Sequence, residues 1–150
     1  MKTFKAFFLL LFASALVLSV NSCKGGSDEE ELGPHTEEPN VERFKEKISV
    51  PGAQILDFRS AEDFAAGHIP GAINIPATAK NTASNDGEFA KAVLAKFDRS
   101  RPVYMYGGMV LDKIVAGRIS KIGFGQANSV LLVGGFNAWK NAGFDIETGK

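Results

Sequence analysis

A single cysteine, Cys23, occurs in the 150 residues. That excludes an internal disulfide, a multi-thiolate zinc site and a Cys-x-x-Cys redox pair, because each needs at least two sulfurs. Histidine is nearly as scarce, with only His35 and His68, so a histidine-based metal centre has too few ligands; no metal and no cofactor are expected. Net charge is absent as well: 17 Lys and Arg balance 17 Asp and Glu, which removes any global attraction to polyanions. Residues 40–150 carry 14 bases and 11 acids, too slight an excess to imply a nucleic-acid partner. The longest apolar run, Ala6–Val20, is fifteen residues with two serines, and at about 1.5 Å per residue it falls short of a bilayer core of roughly 30 Å. What is present, 45% hydrophobic and 23% charged residues, fits one compact domain with appendages rather than a disordered, collagenous or polytopic membrane chain.

Lys2 and Lys5 ahead of Ala6–Val20 have the form of a secretory signal. The run closes on Val20-Asn21-Ser22-Cys23, which resembles a bacterial lipobox, with an aliphatic residue three positions before the cysteine and a small one just before it; Asn21 is less usual there. The resemblance implies cleavage before Cys23 and acylation of its sulfur, so the lipid bilayer is an expected partner through acylated Cys23. Each buried methylene contributes about 0.8 kcal/mol, and two or three chains anchor a protein durably. Ordinary cleavage near Ser22, leaving a free thiol, is the alternative. Residues 24–39 hold six acids, one lysine and almost nothing apolar, which predicts a flexible spacer; its acidic start resembles the export tag of surface-exposed lipoproteins. The expected division is 1–22 signal, 23–39 lipidated cysteine and tether, 40–150 a single domain, held at a bacterial cell envelope, at the outer membrane on its periplasmic or surface face.

Within 40–150 strand-like and helix-like segments alternate. Asn40 is placed to cap a helix with Val41, Phe44 and Ile48 on one face. Ala53–Phe58 is a short apolar strand ending in Asp57-Phe58-Arg59, and Ser60 opens a helix that Gly67 stops. Ala72–Ile75 reads as a strand, residues 77–87 as a polar loop able to move or to rim a pocket, and Glu88–Phe97 as a helix. Pro102–Tyr106, Val110–Ile122 and Ser129–Val133 read as strand, helix and strand, and Gly134-Gly135 leads into a short helix carrying Trp139. The pattern predicts an α/β fold, a mostly parallel sheet of four to five short strands with helices on both faces. Ligands of such sheets bind beyond the carboxyl ends of the strands, here after Phe58 and after Tyr106.

The stretch Asp57-Phe58-Arg59 followed by Gly67-His68-Ile69-Pro70-Gly71-Ala72-Ile73-Asn74-Ile75-Pro76, and later Gly134-Gly135-Phe136-Asn137-Ala138-Trp139, resembles the rhodanese family's Asp-x-Arg, Gly-His-Ile-Pro-Gly-Ala-x-Asn-x-Pro and Gly-Gly-x-x-x-Trp motifs. The resemblance spans about residues 41–147 and implies the three-layer rhodanese fold. Active members place a cysteine directly after the third of these strands, in a loop whose backbone N–H groups stabilise thiolate and persulfide. By the resemblance that position is Gly107, which has no atom to carry a persulfide, so no catalytic residue is assigned. Gly107, Gly108, Met109, Val110, Leu111 and Asp112 form the candidate ligand loop, with Asp112 expected to repel an incoming anion. Asp57, Arg59 and His68 are expected to be structural or to rim the pocket. The expected function is a membrane-anchored, catalytically silent binding or sensing module for an envelope protein or a small anion, with Met109, Val110, Leu111 and Tyr106 as an apolar contact. The alternative is a sulfurtransferase-related activity using a partner's thiol.

Overall fold

The computed structural model describes residues 31–149, so the signal run, Cys23 and the start of the spacer lie outside the described residues. The elements are β1 (Thr36–Glu38), α1 (Val41–Ile48), β2 (Gln54–Asp57), α2 (Ala61–Ala66), β3 (Ile73–Asn74), α3 (Glu88–Lys96), β4 (Val103–Tyr106), α4 (Asp112–Ile119), α5 (Gly125–Asn128), β5 (Ser129–Leu132) and α6 (Gly135–Asn141). The five strands form one parallel sheet in the order β1-β5-β4-β2-β3.

Strand alternation sends side chains to two cores. Leu56, Val103, Met105 and Leu131 face the layer built by Phe89 and Val93 of α3 and Val115, Ala116 and Ile119 of α4. Ile55, Tyr106 and Leu132 face Phe44 and Ile48 of α1 and Trp139 of α6. The expected three-layer α/β architecture is therefore present. Local chemistry sets the helix starts: Asn40 Oδ1 accepts from Arg43 N at 2.7 Å, and Ser60 Oγ accepts from Asp63 N at 3.1 Å.

Three expectations are corrected. The spacer was expected to run flexibly to residue 39, but Thr36–Glu38 pair with Val130–Leu132 as an edge strand. Backbone pairing does not depend on apolar side chains, and buried Glu38 is compensated by Lys47 Nζ at 2.6 Å and Asn40 N at 3.2 Å. Burial pushes the Glu38 carboxyl up, yet the Lys47 hydrogen bond, the Asn40 N–H and the charges of Lys47 and Arg43 together hold it below its usual value. The helix expected from Val110 begins at Asp112, because Leu111, at φ −106° and ψ 3°, is a cap residue outside helical geometry. Past Ile119 the helix rewinds through Ser120–Phe124 to a kink at Gly123, φ +110°.

The 77–87 loop is fastened rather than free. Arg118 of α4, almost fully buried, donates from Nε to Thr82 O at 2.9 Å, from Nη1 to Asn85 Oδ1 at 2.6 Å and from Nη2 to Ala83 O at 3.0 Å. Replacing it takes this donor from the carbonyl of buried Thr82 and from the part-buried carbonyl of Ala83, at about 1–3 kcal/mol for a fully buried group. Arg118→Met is expected to lower stability by about 3 kcal/mol in urea unfolding and to make this loop the first site of limited proteolysis.

Candidate functional site

The carboxyl ends of β2 and β4 meet the start of α6 around Gly107. Phe58, just past β2, donates its N–H to Tyr106 O at 3.2 Å, and its carbonyl accepts from Ala77 N at 3.0 Å. These two bonds hold the Phe58 ring under the β4 loop, where it is buried in the core. A Cβ on Gly107 would lie inside that ring and 2.8 Å from Asp112 Oδ1. On the other side, Gly107 O accepts from Phe136 N at 3.2 Å. Gly135 must also be glycine: its φ is +56° and a Cβ there would collide with Gly107 O.

The loop beyond is splayed. Gly108 faces open space, Met109 is 64% and Val110 90% exposed, whereas Leu111 is half-buried and packs on the core. The expected four-residue apolar contact is therefore divided: Met109 and Val110 project outward, Leu111 only in part, and Tyr106 is fully buried. Tyr106 Oη instead accepts from Ile69 N at 3.0 Å; burial first, and the Asp57 charge second, push its phenol well above the ordinary value.

Asp57 and Arg59 form a built pair. The fully buried Asp57 carboxylate accepts from Arg59 Nε at 3.1 Å on each oxygen and from Arg59 Nη2 at 2.6 Å. Nη2 also reaches Gly67 O at 2.7 Å, and the guanidinium lies 4.0 Å from the Phe136 ring centroid. So held, Arg59 lines two cavities of about 190 Å³ beside Gly108, one shared with Phe58, Ala77, Val110 and Leu111, the other with Gly107, Phe136 and Asn137. His68 lines neither. It stacks on Phe64 at 3.7 Å and its Nδ1–H donates to Phe64 O at 2.8 Å, while its backbone pairs with Glu147, so it fixes a turn.

A family model for the rhodanese-like domain matches residues 40–142. The chain belongs to the rhodanese-like domain family. It is 31% identical over 107 residues to the thiosulfate sulfurtransferase GlpE of Actinobacillus succinogenes, an alignment covering 71% of this chain and 86% of that protein. The Alr3790 protein of Anabaena sp. superposes with a TM-score of 0.56 at 26% identity, over 73% of this chain and 88% of that one. A thiosulfate sulfurtransferase from Pseudomonas aeruginosa shares the fold at TM-score 0.56 and 23% identity, over 76% of this chain and 20% of that one.

Asp112 of this rhodanese-like domain is 8% exposed. Its Oδ1 accepts from Met109 N at 3.0 Å, and among the described residues no cation stands within 4.0 Å of it. Burial raises its pKa above the ordinary 3.8, only partly offset by the Met109 N–H. Sequence reasoning placed Asp112 in the loop but missed Phe58 and Phe136 as its walls. The only available signal for the first was a large ring in Asp-x-Arg together with a glycine nearly fifty residues later. Because folding raises the Asp112 pKa, the ionised carboxyl opposes stability above the folded value, and that cost vanishes below 3.8. Asp112→Asn is expected to raise the thermal midpoint at neutral pH, with the gain shrinking as pH falls through the raised value and absent below 3.8.

Proposed function

We propose that this chain is a lipid-tethered rhodanese-like module that carries no sulfane sulfur itself and serves as a binding or sensing module at the bacterial cell envelope. The observation behind this reading is steric. The residue after β4 is Gly107, and the space any larger side chain would need is already taken by the Phe58 ring and Asp112 Oδ1. A missing nucleophile alone would leave an empty cradle; here the cradle's floor is filled. The 31% identity to a thiosulfate sulfurtransferase favours descent from sulfur-transfer chemistry and is the support for the second reading, in which a partner's thiol reaches the loop. The envelope location is supported by Lys2, Lys5, the apolar run and Val20-Asn21-Ser22-Cys23; among the described residues no helix is long and apolar enough to cross a membrane.

The test is thiosulfate:cyanide transfer, with persulfide detection by mass spectrometry, on the detergent-solubilised full chain. Wild type is expected to be silent, and turnover by wild type would overturn the reading. Gly107→Cys is expected to stay silent and to lose about 2 kcal/mol through overpacking against Phe58. Adding Phe58→Val is expected to relieve the clash at position 107 by removing the ring, at the cost of the core packing that ring supplies. In cells fractionated before detergent is added, Cys23→Ser is expected to move the protein from the membrane fraction to the soluble one, and a mass unchanged by that substitution except for the single oxygen-for-sulfur exchange would refute acylation.

A further inference from the structure

The largest apolar groove of the site lies on the other side of the loop from Arg59. Met109, Val110, Ile114, Leu131 and Val133 enclose about 410 Å³ together with Glu37, Lys113 and Asp112. Met109, Val110 and Val133 are solvent-exposed side chains whose apolar surface nothing in the domain covers. Met109 holds its left-handed backbone there at a cost of about 1–2 kcal/mol, and that conformation both aims its N–H at Asp112 and turns its side chain outward.

The charges decide what fits. Glu37 and Lys113 pair with each other at 3.1 Å, and that hydrogen bond is the chief reason the Glu37 carboxyl sits below its ordinary value. Lys113 is thereby engaged at the rim. Asp112 is the uncompensated charge: one oxygen holds the Met109 N–H, and the other has no hydrogen-bond partner among the described residues. Asp112 is 8% exposed, and a carboxylate taken largely out of water is favoured by a partner of opposite sign. A metal ion would need several oxygen ligands, and among the described residues no group of three acidic, histidine or cysteine side chains converges. An apolar wall several methylenes long, ending at one unpaired carboxylate, matches a side chain with an aliphatic stem and a cationic tip.

We infer that this groove receives a lysine or arginine side chain of a partner protein, its stem against Met109, Val110 and Val133 and its charge on Asp112. The inference rests on the binding-module reading and names the chemistry of that module's partner. Its physical basis is charge complementarity between the Asp112 carboxylate and a cationic tip, joined by a charge-assisted hydrogen bond about twice as strong as a neutral one.

The chain offers a clean probe, since it has three methionines, of which Met105 is fully buried and Met109 stands at the groove. With ¹³C-methyl-labelled methionine, the detergent-solubilised full chain is titrated with the peptide acetyl-Ala-Leu-Lys-Leu-Ala-amide and with its norleucine and glutamate counterparts. The Met109 signal is expected to shift saturably with the lysine peptide, at a dissociation constant on the order of 1 mM, and about tenfold more weakly with norleucine. Asp112→Asn should remove that tenfold preference and leave norleucine binding unchanged, a readout that loss of the fold would not give. Val110→Ser, at an exposed position, should weaken both peptides alike. Equal binding of lysine and norleucine, tighter binding of the glutamate peptide, no shift at all, or a Met109 shift that follows protein concentration without peptide, marking a second copy as the occupant, would each overturn the inference. A wild type that turns over thiosulfate would sink the underlying reading; a silent one that ignores the lysine peptide sinks only this inference.

Discussion

The contact between the Phe58 ring and the bare α-carbon of Gly107 is the constraint on which the rest of the site depends. It joins β2 to β4 at their carboxyl ends, and the Phe58 N–H and carbonyl fix the ring from both sides. The carbonyl of Gly107 then takes the Phe136 N–H, which sets the start of α6 and requires a glycine at 135. Three elements close on a point where no side chain fits. That leaves the loop from Gly108 onward without a core-facing anchor until Leu111, and it spreads outward accordingly.

Two buried carboxylates stand within this arrangement, and their contrast separates scaffold from surface. Asp57 is satisfied by a forked guanidinium, so it costs little and holds Arg59 flat against Phe136. Asp112 has one backbone N–H and, among the described residues, no cation. A domain selected only for stability would not keep a charge in that condition, since replacing it by a neutral isostere removes the desolvation cost. A carboxylate largely removed from water at the edge of an apolar groove is a group that a cation from outside would stabilise.

Much of this was legible in the sequence. Caps at Asn40 and Ser60, the strands ending at Asp57 and Tyr106 and the paired glycines before Trp139 are local signals, written within a few residues of where they act. The loop at Gly107–Asp112 could be placed by the same means. What escaped is non-local. Thr36–Glu38 has an acidic, spacer-like composition and becomes a strand only because β5 offers it a backbone edge. The filling of the Gly107 space depends on Phe58, the tying of the 77–87 loop on Arg118, and the parting of Met109 from Leu111 on a single positive φ. None of these has a periodicity: the first three are meetings of segments that the chain order keeps apart, and the fourth is a single backbone angle at a non-glycine residue.

The place of β1 in the sheet also fixes an order of assembly. Among the described residues its only neighbour is β5, the last strand in their order, with Thr36 in register with Val130. Closing so long a loop is entropically slow, and local helices and the β2-β4 pair come together at shorter sequence separations. By contact order, the segment that leads into the domain is therefore seated late, with the Glu38–Lys47 pair reaching its buried setting once β5 is in place. A chain emerging amino end first holds Thr36–Glu38 without their sheet partner until Val130–Leu132 arrive, so completion of this sheet waits on all but the closing helix and tail of the described domain.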